Sequence, residues 1–203
     1  MSLSYSHLNP SNSNKSASKA KILYNETDSI FKLSNLLHQY LYLVPSTKEL
    51  VVMCIGTDRS TGDALGPIIG TKLSQANLND EVHVYGTLNE PVHAVNLQDK
   101  LTNIHTTHHD PFIIAIDACL GQLNSIGHVQ IGTGPLKPGA GVKKNLPSVG
   151  DLHITGIVNV GGFMEYFVLQ NTRLNLVMNM ADVISTSIKH SVQNLARKAV
   201  SDP

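Results

Sequence analysis

The chain predicts an α/β fold: a mixed, mostly parallel sheet of about five strands with helices on both faces. Short apolar runs near 50–55, 81–86 and 111–117 are separated by helix-length segments near 64–76 and 91–104, the alternation that βαβ crossovers impose. Residues 126–131 follow the third run too closely for a helical crossover, so that strand pairs antiparallel and the sheet is mixed. At 203 residues the chain suits one domain with a full core.

Residues 1–21 read as a disordered tail, because the serine, asparagine and lysine run from Ser11 to Lys19 brings little apolar surface and no secretory h-region. Residues 22–203 then form the single domain. Ile30, Leu33, Leu36, Leu37, Tyr40, Leu41 and Val44 recur at helical spacing, with Thr27 or Asp28 as cap and Pro45 as stop. The strand near 50–55 runs into a polar, glycine-bounded loop, and Pro67 suits the first position of the helix that follows, with Gly66 as its cap. The third strand ends on Asp117. Glycines and prolines between 132 and 144 forbid regular structure and mark a long excursion. A last strand, roughly 152–158, precedes a helix whose Leu174, Val177, Ala181, Ile184, Ile188, Val192 and Leu195 share one face.

Composition narrows the function classes. Fifteen acidic residues balance fifteen basic ones, which argues against nucleic acid or an anionic membrane surface as partner. No apolar run reaches the ~18 residues that span a bilayer. Two cysteines, Cys54 in a strand and Cys119 in a loop, make no disulfide framework and fit a reducing, cytoplasmic compartment. A small molecule or a protein is the expected partner.

Two carboxylates follow strand ends of one sheet, where open α/β folds place their ligands. Asp63 lies in the loop after the first parallel strand, and Asp117 closes the third. Each has a plainer reading, Asp63 as a helix-start residue favoured by the dipole and Asp117 as a turn residue. As a pair in one cleft they cannot both ionise cheaply, so one keeps a proton and the two divide acid and base roles on a water. The same pair could instead hold a divalent metal, with Asp58, Glu90 and His153 nearest as further ligands. His153 falls early in its strand, where histidines more often pack than ligate. The segment 56–62 lacks the P-loop lysine and the dinucleotide-binding glycine spacing, although its N–H groups could form an anion nest. His105, His108 and His109 precede a strand in a polar connection and are expected in solvent. Cys119 has no histidine placed to activate it.

The strings Gly56-Thr57-Asp58-Arg59-Ser60-Thr61-Gly62-Asp63-Ala64-Leu65-Gly66-Pro67, Ile116-Asp117-Ala118-Cys119-Leu120-Gly121 and Gly156-Ile157-Val158-Asn159 resemble the YyaC-type sporulation proteins, described as spore proteases. The string from Gly162 through Phe163, Met164 and Glu165 to Leu174 is equally typical. Through Asp63-Ala64-Leu65-Gly66-Pro67, Ile116-Asp117-Ala118 and the loop from Lys137 to Val142 the chain is distantly similar to the germination protease that degrades small acid-soluble spore proteins. The resemblance implies catalytic aspartates at Asp63 and Asp117 and a place in the forespore or spore core. The related hydrogenase-maturation endopeptidases imply a phosphorylase/hydrolase-like α/β/α sandwich. They bind metal through two carboxylates and a histidine, and only the carboxylates carry over.

The expectation is therefore a sporulation-associated endopeptidase with no required cofactor. Its peptide substrate lies over 56–62, contacting Thr57, Asp58, Arg59 and Glu90, with Lys137 and the rest of 137–144 as a cover and Asn159 on the floor. A metal-dependent hydrolase on the same aspartates and a non-catalytic sporulation binding protein are the rivals. A homo-oligomer is compatible with all three.

Overall fold

A computed structural model of the protein describes residues 20–139 and 146–199. Its strands are β1 (Ala20–Leu23), β2 (Leu50–Cys54), β3 (Val82–Tyr85), β4 (Phe112–Gly121), β5 (His128–Thr133) and β6 (Leu152–Val160). Its helices are α1 (Ser29–Leu41), α2 (Leu65–Ser74), α3 (Leu97–Thr107), α4 (Glu165–Gln170) and α5 (Leu174–Ala199). The strands form one sheet in the order β1-β5-β6-β4-β2-β3. β3, β2, β4 and β6 are mutually parallel, whereas β5 runs against β6 and β1 against β5.

Because side chains alternate along a strand, the central strands feed two cores. Leu50, Val52, Cys54, Ile114, Ile116 and Ile154 pack beneath α1, α2 and α5. Val51, Met53, Ile113 and Ala115 pack against Leu97, Leu101 and Ile104 of α3. The result is the expected three-layer sandwich. Along the first layer Ser187 and Ser191 of α5 are fully buried, and Ser191 Oγ donates to Ser34 O of α1 at 2.9 Å, so small side chains let the two helices approach closely.

Topology sets the place of the site. β2 leaves through α2 on one face and reaches β3, and β3 returns through α3 on the other face to β4. The chain beyond β4 continues away from β2, toward β6 and β5. The carboxyl ends of β2 and β4 therefore flank the crevice at which strand order reverses, the favoured ligand position in open α/β sheets.

Several elements differ from the sequence-based expectation. A sixth strand, β1, begins at Ala20, within the segment read as tail, because Ile22 is buried and the strand completes β5. β4 does not end on Asp117 but continues to Gly121, paired to β6 throughout. Helix α3 starts at Leu97 rather than near 91, because Val92 bridges to Ile55 and Asn96 takes the cap position. Helix α2 starts at Leu65 with Ala64 before it, so Pro67 lies inside the first turn rather than opening it. The excursion after β5 is not wholly irregular, since Leu136 and Val149 exchange two backbone hydrogen bonds of 2.9 Å at its base. The part of the expected cover at 140–144 lies outside the described residues.

Candidate active site

β2 stops at Cys54, whose partner on β4 is Ile116, so Asp117 is the first β4 residue beyond the end of β2. Alternation with Ile113 and Ala115 turns its side chain to the α3 face. Asp63 reaches the same place by a different route. The loop after β2 turns sharply at Gly56, with φ of 149°, and Thr57 N–H donates to Asp63 O at 3.2 Å. A Cβ on Gly56 would lie 2.0 Å from that oxygen, so glycine is what lets the loop fold back on itself. No side chain caps α2, which leaves the Asp63 carboxylate uncommitted to the helix.

Both aspartates line one cavity of about 180 Å³. Thr57, His93 and Ala94 form one wall, and Pro138, Gly139 and Leu146 another. Tyr166 and Leu169 of α4 close it. Asp117 Oδ1 accepts the Ala118 N–H at 2.9 Å, and the Gly139 N–H also bonds this carboxyl. Burial pushes the Asp117 acid up to about 8, the Asp63 charge pushes in the same direction, and the two amides oppose them. Burial likewise raises Asp63 above the usual carboxylate range. Near neutrality Asp117 holds a proton, and the pair offers one donor and one acceptor to a shared space.

His93 is the wall residue that sequence reading missed. Its backbone N–H donates to Asn96 Oδ1 at 2.8 Å and its Nδ1 accepts the Val95 N–H at 3.2 Å, so a neutral ring carries its proton on Nε2. The available signal was a histidine in the connection that follows the parallel strand β3, obscured because a helix was expected there. Tyr166 and Leu169 were hidden for a similar reason, as α4 is one short helix that follows a glycine pair, Gly161 and Gly162.

The other expected residues fall elsewhere. Thr57 lines the cavity. Asp58, Arg59 and Lys137 are exposed and outside it. Glu90 points to solvent, 3.9 Å from Lys100. Asn159 is not on the cavity floor, because its amide donates to Val168 O and Thr172 Oγ1, each at 3.2 Å, and ties β6 to the α4 segment. His153 is buried with Nδ1 2.8 Å from Gly134 O, and does not line the cavity. Cys119 does not line it either, and Cys54 is buried with its thiol driven far upward. His105 and His109 are exposed as expected, but His108 is buried because it turns back under Tyr85 and Glu49.

A family profile described as a protein of unknown function (DUF1256) matches residues 21–187. The chain belongs to the DUF1256 family. A curated relative, the uncharacterized protein YyaC of Bacillus subtilis (strain 168), is 68% identical over 141 residues, 70% of this chain and 68% of the relative. Among solved structures, the [NiFe] hydrogenase maturation protease HycI from Thermococcus kodakarensis KOD1 is similar with a TM-score of 0.53. That alignment covers 78% of this chain and 99% of the other at 17% identity, a likeness of fold. The DUF1256 chain thus presents its aspartates on an α/β sheet of the fold seen in that structure. Among its described residues no helix is long and apolar enough to cross a membrane.

Proposed function

We propose that this protein is a sporulation-associated endopeptidase in which Asp63 and Asp117 activate a water. The observation that carries the reading is the shared cavity, in which burial and the Asp63 charge together hold Asp117 protonated up to about pH 8. Asp63, the other carboxyl, takes a proton from water as its oxygen attacks the scissile carbonyl. Asp117 donates to the carbonyl oxygen as the tetrahedral intermediate forms. Collapse breaks the C–N bond, the leaving nitrogen takes the proton from Asp63, and Asp117 recovers its own. The fold shared with a maturation protease supports hydrolysis of a peptide bond, and the sporulation resemblance supports a forespore or spore-core setting.

The rim supports a peptide substrate with apolar side chains. Phe163, Met164, Tyr166 and Phe167 are 81%, 52%, 56% and 54% exposed around the start of α4, and Tyr166 reaches into the cavity. Apolar side chains left in water beside a polar cavity suit an extended chain whose backbone enters the site. In this reading the substrate runs over the 56–62 loop, with Pro138 and Gly139 on its far side.

The purified chain is to be incubated with a peptide library and with extracts of sporulating cells, and products read by mass spectrometry. Cleavage that Asp63→Asn and Asp117→Asn each lower at least about 100-fold is the expected result. Activity that chelator silences and added divalent metal restores would favour the metal-dependent hydrolase on the same aspartates. Selective capture of peptides with no cleavage would favour the binding protein.

A further inference from the structure

The buried His108 belongs to a second cluster, at the amino ends of β2 and β3, whereas the aspartates lie beyond the carboxyl end of β2. Glu49 immediately precedes β2, His83 lies on β3 and His108 follows the last turn of α3, so three separate elements each bring one side chain to the α3 face. His83 Nε2 lies 3.1 Å from Glu49 Oε1, and His108 Nδ1 lies 3.0 Å from Glu49 Oε2. The two imidazole rings are 4.2 Å apart between centroids, which aims both nitrogens at one carboxylate.

We propose that Glu49, His83 and His108 form a binding site for a divalent transition-metal cation of the zinc type. One ligand atom from each of the three lies within 4.8 Å of the others. Around a tetrahedral zinc with bonds of about 2.0–2.1 Å, ligand atoms stand roughly 3.3 Å apart, so side-chain adjustments on the order of 1 Å close the site. Two imidazoles and one carboxylate are the borderline donors that zinc prefers and that magnesium and calcium do not.

The surroundings fit the same ion. Tyr85 Oη lies 2.8 Å from His108 Nε2. A tyrosine hydroxyl both donates and accepts, so it can receive the Nε2 proton while the Nδ1 lone pair turns to the metal, the outer-sphere partner that ligating histidines usually have. His83 frees Nε2 in the same way by carrying its proton on Nδ1. The Glu49 and His83 side chains are 41% and 30% exposed, which leaves an approach for the ion and a position for water. His108 is 5% exposed and anchors the inner side. A cation here would join the start of β2, the edge strand β3 and the end of α3 whose other end adjoins the cavity wall at His93 and Ala94.

The test uses the full chain stripped of metal, titrated at pH 7.5 with zinc against a chromophoric chelator and with cobalt(II) by visible absorption. Expected are one equivalent bound with a dissociation constant on the order of 1 μM or below, a four-coordinate cobalt spectrum, and a higher melting temperature with zinc. His83→Ala and Glu49→Gln, at partly exposed positions that leave folding intact, should each weaken binding at least about 10-fold and remove the thermal shift. The double change Asp63→Asn and Asp117→Asn should leave all three readouts unchanged. Absence of stoichiometric binding, or binding that the aspartate variant removes and His83→Ala keeps, would overturn the proposal and leave the cluster as a hydrogen-bond network.

Discussion

Asp117 carries the strongest electrostatic consequence of the fold. Its acid is raised from an ordinary 3.8 to about 8, so the folded state binds a proton that the unfolded chain releases across this interval. For a group raised on folding, the favourable contribution is complete below the unfolded value and is lost as pH climbs through the folded one. Wild-type stability should therefore fall between about pH 4 and pH 8. Asp117→Asn should remove that slope and exceed wild type at pH 9 by a few kcal/mol, since each tenfold change in proton affinity is worth about 1.4 kcal/mol. Urea unfolding at a series of pH values checks it, and parallel curves for the two proteins would disprove the buried acid. Peptide cleavage by wild type should likewise decline above about pH 8, as the proton donor is lost. Both aspartates were legible from sequence because each follows an apolar strand run. His93, Tyr166 and Leu169 were not, since nothing in a lone histidine or a short aromatic stretch says which loop folds over which crevice.

The short helix α4 explains how the site is held. Gly62 N–H donates to Leu169 O at 2.9 Å, and Asn159 donates to Val168 O and Thr172 Oγ1, so the Asp63 loop, β6 and α4 are joined by hydrogen bonds. Asn159→Ala removes two donated bonds and should cost about 1–2 kcal/mol in chemical denaturation while raising KM for peptide more than it lowers kcat. An unchanged KM would detach α4 from substrate binding. The contact of α2 with β2 is closer still, because a Cβ on Gly66 would lie 2.1 Å from Ile55 O and 2.8 Å from its carbonyl carbon. Gly66→Ala should push α2 outward, cost about 1–3 kcal/mol and displace Asp63, seen as lost cleavage and a lower melting temperature together. Strand and helix identities were readable from period and spacing. Boundaries slipped where tertiary pairing overrode local pattern, as at α3, whose expected start is occupied by the Val92 bridge to Ile55, and at β4, which β6 carries on to Gly121.

At the level of the whole molecule, the sandwich and its mixed sheet were legible because alternation of strands and helices admits few topologies. The sixth strand was not. Four residues, Ala20–Leu23, next to a polar stretch carry no periodicity of their own, and their role emerges only when β5 offers them an edge. There Ile22 is 8% exposed within the larger core, Lys21 Nζ donates to Ser125 Oγ at 2.7 Å, and Tyr24 N–H donates to Gly127 O at 3.0 Å. Removing this strand would turn β5, with Val129 and Ile131 on its buried face, into an open edge of unpaired backbone groups. A chain that begins at Asn25 should consequently be less stable than one that begins at Ala20 by at least about 2 kcal/mol, the burial of one isoleucine alone. It should also self-associate at concentrations where the longer chain does not, as read by sedimentation. Equal stability and equal sedimentation of the two chains would mean that β1 decorates the sheet rather than closing it. The aspartate cavity lies across the sheet at β2 and β4, so the shorter chain, where it remains monomeric, should retain its peptide cleavage.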